Sequence, residues 1–184
     1  KVLIQEWYQS FTEHLEKSHL IMTYSKADTV MLNQEARYLM KQDGIVAKEE
    51  YLLTIHKEDE DDFGDKITTK EEKYFSKGDR ILFLRNDNGL GVRNGTLGTI
   101  LEIDRQKIKA KLDASDTIIS FAPKLYPYFD QGWAASIHKS QGVTVDRAFL
   151  LATHETFRNL AYVGMTRHGE FVKIFGSKLD FWKE

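Results

Sequence analysis

A short, largely apolar run, Leu20-Ile21-Met22-Thr23-Tyr24, is followed at once by Ser25 and a helical pattern, and this pairing narrows the available folds more than any other feature. The run is too short for a helix and reads as a buried strand. Ser25 suits the start of a helix whose apolar positions are Val30, Met31, Ala36, Tyr38 and Leu39, and Gly44 is well placed to end it. Strand, polar turn and helix form the repeating unit of an open α/β sheet. Upstream, Leu3, Trp7, Phe11 and Leu15 recur at i, i+4 intervals and predict an amphipathic helix over residues 2–17. The α/β pattern returns from about Gly132, with a buried strand at Ala148–Ala152, a helix over Glu155–Met165 and a closing strand at Phe171–Phe175.

Near Gly78 the pattern changes. Ile81-Leu82-Phe83-Leu84 is a strand, Asn88-Gly89 and Asn94-Gly95 are turn signals, and Thr96–Ile103, Gln106–Leu112 and Thr117–Phe121 are short strand candidates. Closely spaced strands without helices predict a small antiparallel barrel or sheet inserted into the α/β domain. The resulting division is residues 1–85 and 127–184 for the α/β domain and 86–126 for the insertion, with Ile81–Leu84 able to join either.

Hydrophobic content of 41% and charged content of 29% exclude a globally disordered chain. The absence of cysteine removes disulfides and thiolate zinc sites, and it fits a reducing, cytoplasmic setting. No apolar run approaches a membrane span, so no membrane partner is expected. A start at Lys1 is read as a piece cut from a longer chain. Between Glu58 and Glu72 stand eight acids and two lysines, a local charge of −6, so the whole-chain charge of −2 leaves +4 elsewhere. The acidic run lacks the alternating ligands of a calcium loop and is expected to be a solvated loop. Elsewhere Arg105, Lys107, Lys109 and Lys111 alternate with Gln106, Ile108, Ala110 and Leu112, which at strand periodicity puts four cations on one face. Such a stripe suits a phosphate track, or equally a lysine-guarded edge strand.

Two segments carry chemistry. Ala134-Ala135-Ser136-Ile137-His138-Lys139-Ser140-Gln141-Gly142 gathers hydroxyls, a cation and a permissive glycine just before a buried strand. That is the equipment phosphate oxygens require, placed at the amino-terminal end of the following strand; a polar helix with a capping glycine accounts for it as well. Ala161-Tyr162-Val163-Gly164-Met165-Thr166-Arg167-His168 ends a helix with an arginine, which could neutralise the helix dipole or reach a nucleotide. Trp133 and Tyr128 are candidates for base stacking or for packing. His14, His19, His56, His154 and His168 show no metal-ligand spacing, and no metal site is expected.

Together, His138–Gly142 followed some two dozen residues later by Tyr162–Arg167 resembles motifs V and VI of superfamily 1 DNA helicases. Leu20–Asn33 looks like the opening of their second RecA-like domain. Gly78-Asp79-Arg80-Ile81 with Leu90–Gly98 is similar to the RecD-like branch, in which an SH3-like barrel interrupts that domain. The wording of the motifs is nearest the helicase region of TraA/MobA-type conjugative relaxases.

The resemblance implies a RecA-like, parallel-sheet α/β fold and a second motor domain of an ATP-dependent helicase or translocase. Arg167 matches the arginine directed at the γ-phosphate and is the catalytic candidate. With Gln141 and Gly142 it makes the ATP-binding set. Ser136, His138 and Lys139 match the side facing single-stranded DNA; Tyr24 and Ser25 sit where the family also touches DNA, and Lys107, Lys109 and Lys111 join them as DNA-binding candidates. Thr144 stands where many relatives carry a glutamate that contacts the nucleotide sugar. The implied partners are single-stranded DNA and an N-terminal RecA-like domain of the same chain, in a bacterial cytoplasm.

A nucleoside-triphosphate motor needs a glycine-rich loop ending in Gly-Lys-Ser/Thr and an acidic magnesium ligand, and no Gly-Lys-Ser/Thr occurs here. ATP and Mg²⁺ are therefore expected in the full-length protein and not bound tightly by this piece, which is expected to be catalytically silent alone. Two other readings stand beside the motor half: a non-catalytic nucleic-acid-binding or docking module, and a fragment of a RecD-type repair helicase.

Overall fold

The computed structural model describes residues 1–60, 66–137, 139, 143–152 and 168–176. In chain order the elements are α1 (Val2–Glu13), β1 (His19–Thr23), α2 (Lys26–Gln42), β2 (Tyr51–Glu60), β3 (Lys66–Phe75), β4 (Arg80–Phe83) and β5 (Leu97–Ile103). They continue with β6 (Ile108–Leu112), β7 (Ile118–Phe121), β8 (Phe129–Gln131), β9 (Ala134–Ser136), β10 (Val145–Leu151) and β11 (His168–Phe175). The chain divides into two compact units, one of residues 1–39 and 133–184 and the other of residues 40–132. These limits lie further out than the expected 86–126, because β4 and β8 hydrogen-bond into the same sheet as β5.

The first unit holds a four-stranded sheet in the order β11-β10-β1-β9, parallel throughout. Every residue of β1 is buried, which explains its continuous apolar run: a parallel strand covered on both faces has no polar side to show. Helix α1 buries Leu3, Ile4, Trp7 and Ser10 along one stripe. It ends at Glu13 rather than continuing to residue 17, because His14 leaves helical geometry, and Leu15 is exposed. At the amino edge of the sheet the Ser18 amide and hydroxyl both donate to the Asp146 carboxylate, at 2.8 and 2.7 Å. Partial burial opposes that charge, but these donors and Lys17 outweigh it and hold the Asp146 pKa below its ordinary value. The strand, turn and helix expected over Leu20–Gly44 are present; Glu155–Met165 lies outside the described residues.

The second unit contains the β2-β3 hairpin and a five-stranded sheet in the order β7-β6-β5-β4-β8, every pairing antiparallel. Its core gathers Ile55, Phe75, Ile81, Phe83, Ile100, Ile108, Phe121 and Phe129. The hairpin corrects the expectation of a solvated acidic loop for Glu58–Glu60, which belong to β2 and pair with Lys66–Thr68 of β3, while Asp61, Asp62 and Asp65 lie outside the described residues. Leu53 and Ile55 point inward and fix its register, so the acids are carried on a strand whose core side is apolar. Gly78 adopts a positive φ of 89° and lies so close to the Ile45 carbonyl that a Cβ would stand 2.0 Å from its oxygen, which explains why the turn before β4 carries glycine.

A charge cluster ties the hairpin to β8. Asp130 receives Lys57 at 2.9 Å and Lys73 at 2.6 Å, and Lys57 also reaches Glu71 at 2.8 Å. Burial works against the Asp130 carboxylate, but Lys73 and Lys57 outweigh it and leave its pKa lowered. Because the folded pKa lies below the unfolded one, the stabilisation is complete above the ordinary aspartate range and is lost as pH falls through the depressed value. Asp130→Asn, which leaves Lys57 and Lys73 to share Glu71, is expected to cost roughly 3–5 kcal/mol at neutral pH. Urea titrations across the acid range should show the two proteins converging in stability as pH falls.

Candidate nucleic-acid interface

Strand β1 ends at Thr23 and β9 at Ser136, and the register pairs these two residues directly. The Ile137 amide continues the ladder by donating to the Thr23 carbonyl at 2.9 Å. Tyr24-Ser25 and Ile137 therefore leave the sheet side by side at its carboxyl edge, where open α/β sheets place their ligands. This corrects the expected position of the polar segment. Ala134–Ser136 is itself a strand, so the segment leaves β9 at the carboxyl edge instead of sitting only before β10.

Each end is held by hydroxyl chemistry. The Ser25 hydroxyl accepts the Asp28 amide at 3.0 Å and donates to the Asp28 carboxylate at 2.6 Å, a cap at the start of α2. The Thr29 hydroxyl donates to the Ser25 carbonyl at 2.9 Å and lies 2.6 Å from the Thr23 hydroxyl. Ser136 is buried, and its hydroxyl accepts the Lys139 amide at 3.4 Å, turning the chain immediately after β9. Tyr24 is 38% exposed. The remaining members of the two motifs (His138, Gln141, Gly142 and Arg167) lie outside the described residues.

The residue that sets this arrangement is one the sequence reading passed over. Asn33 sits in α2, 4% exposed, and every hydrogen-bonding position of its amide is used. Its oxygen accepts the Trp133 and Ala134 amides at 3.0 and 2.9 Å, and its nitrogen donates to the Ala134 carbonyl at 2.8 Å and the Thr29 carbonyl at 3.0 Å. One side chain thus joins the helix that begins at Ser25 to the strand that ends at Ser136. The available signal was an asparagine between buried Leu32 and Ala36, since a polar amide on a helix's apolar face needs a specific partner.

The aromatic candidates turn out to be packing residues. Trp133 is 2% exposed and meets Trp7 and Phe11 edge-on at 5.8 and 5.7 Å. Tyr128 has the Arg85 guanidinium over its face at 4.6 Å and His56 at its edge. The basic stripe is sorted by the fold. Ile108, Ala110 and Leu112 are buried and Lys109 and Lys111 face outward, as the alternation predicts, while Arg105 and Lys107 precede the strand. β6 is hydrogen-bonded on both sides, by β5 and β7, so its lysines guard no edge. Lys109 meets Glu102 at 2.9 Å and Lys111 meets Asp116 at 2.8 Å.

No protein-family model matches the chain. It is 33% identical over 184 residues to a probable conjugal transfer protein TraA of Sinorhizobium fredii, across 98% of this chain and 15% of that protein. It is also 31% identical over 117 residues to the RecBCD enzyme subunit RecD of Buchnera aphidicola, covering 60% of this chain and 19% of that one. Among solved structures, the Pif1 helicase from Bacteroides in complex with ADP-AlF3 and ssDNA superposes with a TM-score of 0.60 at 21% identity, over 90% of this chain and 42% of that one. The parallel sheet is thus that of a helicase-type α/β domain. Over its whole length the chain is related to a segment of the TraA conjugal transfer proteins. It spans about 15% of the length of the TraA relative it matches.

Replacing Asn33 with leucine would leave two buried amide donors and a carbonyl without partners. The expected loss is roughly 2–4 kcal/mol of stability, measured by urea denaturation, with the weakest amide-exchange protection appearing at Trp133 and Ala134.

Proposed function

We propose that this chain is the second motor domain of an ATP-dependent DNA helicase or translocase, one that senses nucleotide and grips single-stranded DNA without a phosphate-binding loop of its own. The observation that carries the reading is the Thr23–Ser136 pairing, which brings Tyr24-Ser25 and Ser136-Ile137 to one carboxyl edge. The Pif1 relative solved with ADP-AlF3 and ssDNA supports it. In this reading the five-stranded antiparallel sheet is the SH3-like insertion of the RecD-like branch. ATP and Mg²⁺ bind in the full-length protein, in a cleft completed by an N-terminal RecA-like domain. Tyr24, Ser25, Ser136, His138 and Lys139 face the DNA backbone, Gln141 and Gly142 link that track to the nucleotide, and the whole works in the bacterial cytoplasm, in conjugative transfer.

Arg167 is the catalytic residue in this scheme. Its guanidinium compensates charge developing on the transferred γ-phosphoryl group, which raises the rate more than it raises nucleotide affinity. In the full-length protein Arg167→Ala is expected to lower ATP turnover by about a thousandfold or more while nucleotide affinity changes little. Steady-state hydrolysis with a parallel nucleotide-binding titration checks this; normal turnover in the variant would remove the assignment.

The stripe of Lys107, Lys109 and Lys111 adds a secondary DNA contact. Two of its members already meet carboxylates, so DNA must displace Glu102 and Asp116 to use them. The triple glutamine variant is expected to weaken single-strand binding and reduce its salt slope. An unchanged slope would leave Lys109 and Lys111 only as partners of Glu102 and Asp116.

A further inference from the structure

Several cations of the second unit are engaged internally. Lys57 and Lys73 hold Asp130, Arg80 holds Asp113, Lys109 holds Glu102 and Lys111 holds Asp116. Arg105 and Lys124 are exposed and carry no ion pair among the described residues. Both line one groove of about 510 Å³, together with Leu52, His56, Pro123 and Pro127. The groove is preformed. Pro123 and Pro127 are buried, with backbone φ fixed by their rings, and the His56 amide donates to the Pro127 carbonyl at 2.8 Å, joining hairpin to floor. Leu52 stands 46% exposed at its wall.

We propose that this groove docks an extended acidic segment of a partner protein, with an apolar side chain laid against Leu52 and the prolines and its carboxylates turned toward Arg105 and Lys124. Unpaired cations beside an apolar floor match that chemistry on both counts, and a rigid groove loses little entropy when filled. Single-stranded nucleic acid fits less well. Grooves that bind it combine cations with open aromatic faces, and among the residues lining this one the single ring is the half-buried His56 imidazole, which packs edge-on with Tyr128. Tyr128, nearby, is covered by Arg85. The docking site is independent of the ATP- and DNA-linked reading above.

The test uses the intact chain and a fluorescein-labelled twelve-residue peptide of aspartate and glutamate with two leucines, followed by anisotropy. Arg105→Gln combined with Lys124→Gln should weaken binding at least tenfold with an unchanged melting temperature, because both side chains are exposed and unpaired. Exchanging the peptide's leucines for serine should weaken it severalfold, and Lys109→Gln with Lys111→Gln should change it less than twofold. Shifts of amide resonances on peptide addition should centre on Leu52, His56 and Lys124. The proposal is overturned if the peptide does not bind, if a lysine-leucine peptide binds equally, or if the Arg105/Lys124 variant binds it normally. It is also overturned if a twelve-nucleotide oligothymidylate displaces the peptide and itself loses affinity for that variant, which would make the groove a nucleic-acid site.

Discussion

The Asn33 amide is the contact on which the presentation of the candidate site depends, and the reason lies in chain connectivity. β1 and β9 are neighbours in the sheet, yet the whole second unit, residues 40–132, separates them in sequence. Closing so long a connection costs conformational entropy, and β9 is only three residues long, so its ladder to β1 returns few hydrogen bonds. Asn33 adds three more to the first two residues after the connection. Because they are made in a buried setting, leaving them unmade would cost more than forming them gains. The amide therefore fixes where β9 begins, and a three-residue strand then leaves no freedom over where Ser136 ends it.

Electrostatics in this chain follow placement rather than count. A local charge of −6 between Glu58 and Glu72 suggests a repelling, solvated segment. In the fold Lys57 lies beside Glu71 and shares Asp130 with Lys73, so part of that charge is neutralised at the seam between hairpin and sheet. Burial disfavours the Lys57 ammonium, but Asp130 and Glu71 outweigh it and raise its pKa above the ordinary lysine range. The basic stripe shows the same sorting with opposite sign. Cations that alternate correctly along β6 face carboxylates supplied by β5 and by the turn before β7. A net charge sums over these pairs and hides which groups are left to act on something else.

Legibility from sequence followed how local the determining physics was. β1 and α2 were readable because an apolar run, a capping serine and a terminating Gly44 lie within one short stretch. β5, β6 and β7 were readable because glycine turns and alternation are equally local. β9 was not, since Ala-Ala-Ser has little strand preference and becomes a strand only by pairing with β1. The hairpin was obscured because the acids between Glu58 and Glu72 outnumber the inward apolar residues Leu53 and Ile55 beside them. Of the candidate site, Tyr24, Ser25, Ser136 and Lys139 stand out in the sequence by residue type, whereas their adjacency is a product of register. Asn33 escaped because its four partners come from both ends of the insertion.

That adjacency also says what kind of part the carboxyl edge is. Thr23, Ser25 and Thr29 form one hydroxyl-linked cap, Asn33 joins the helix behind that cap to β9, and the Ile137 amide joins β9 back to Thr23. The loop is closed: helix to strand, strand to strand, strand to helix. Coupling that switches requires an element with two arrangements, and a closed ring of satisfied buried bonds favours one. In the proposed motor, the Tyr24-Ser25 turn and the start of the Ser136–Gly142 segment must therefore travel as a single rigid piece. On the proposed function, a step along DNA would move that piece as a whole, with the hydrogen bonds around Asn33 holding Tyr24-Ser25 and Ser136 at fixed spacing.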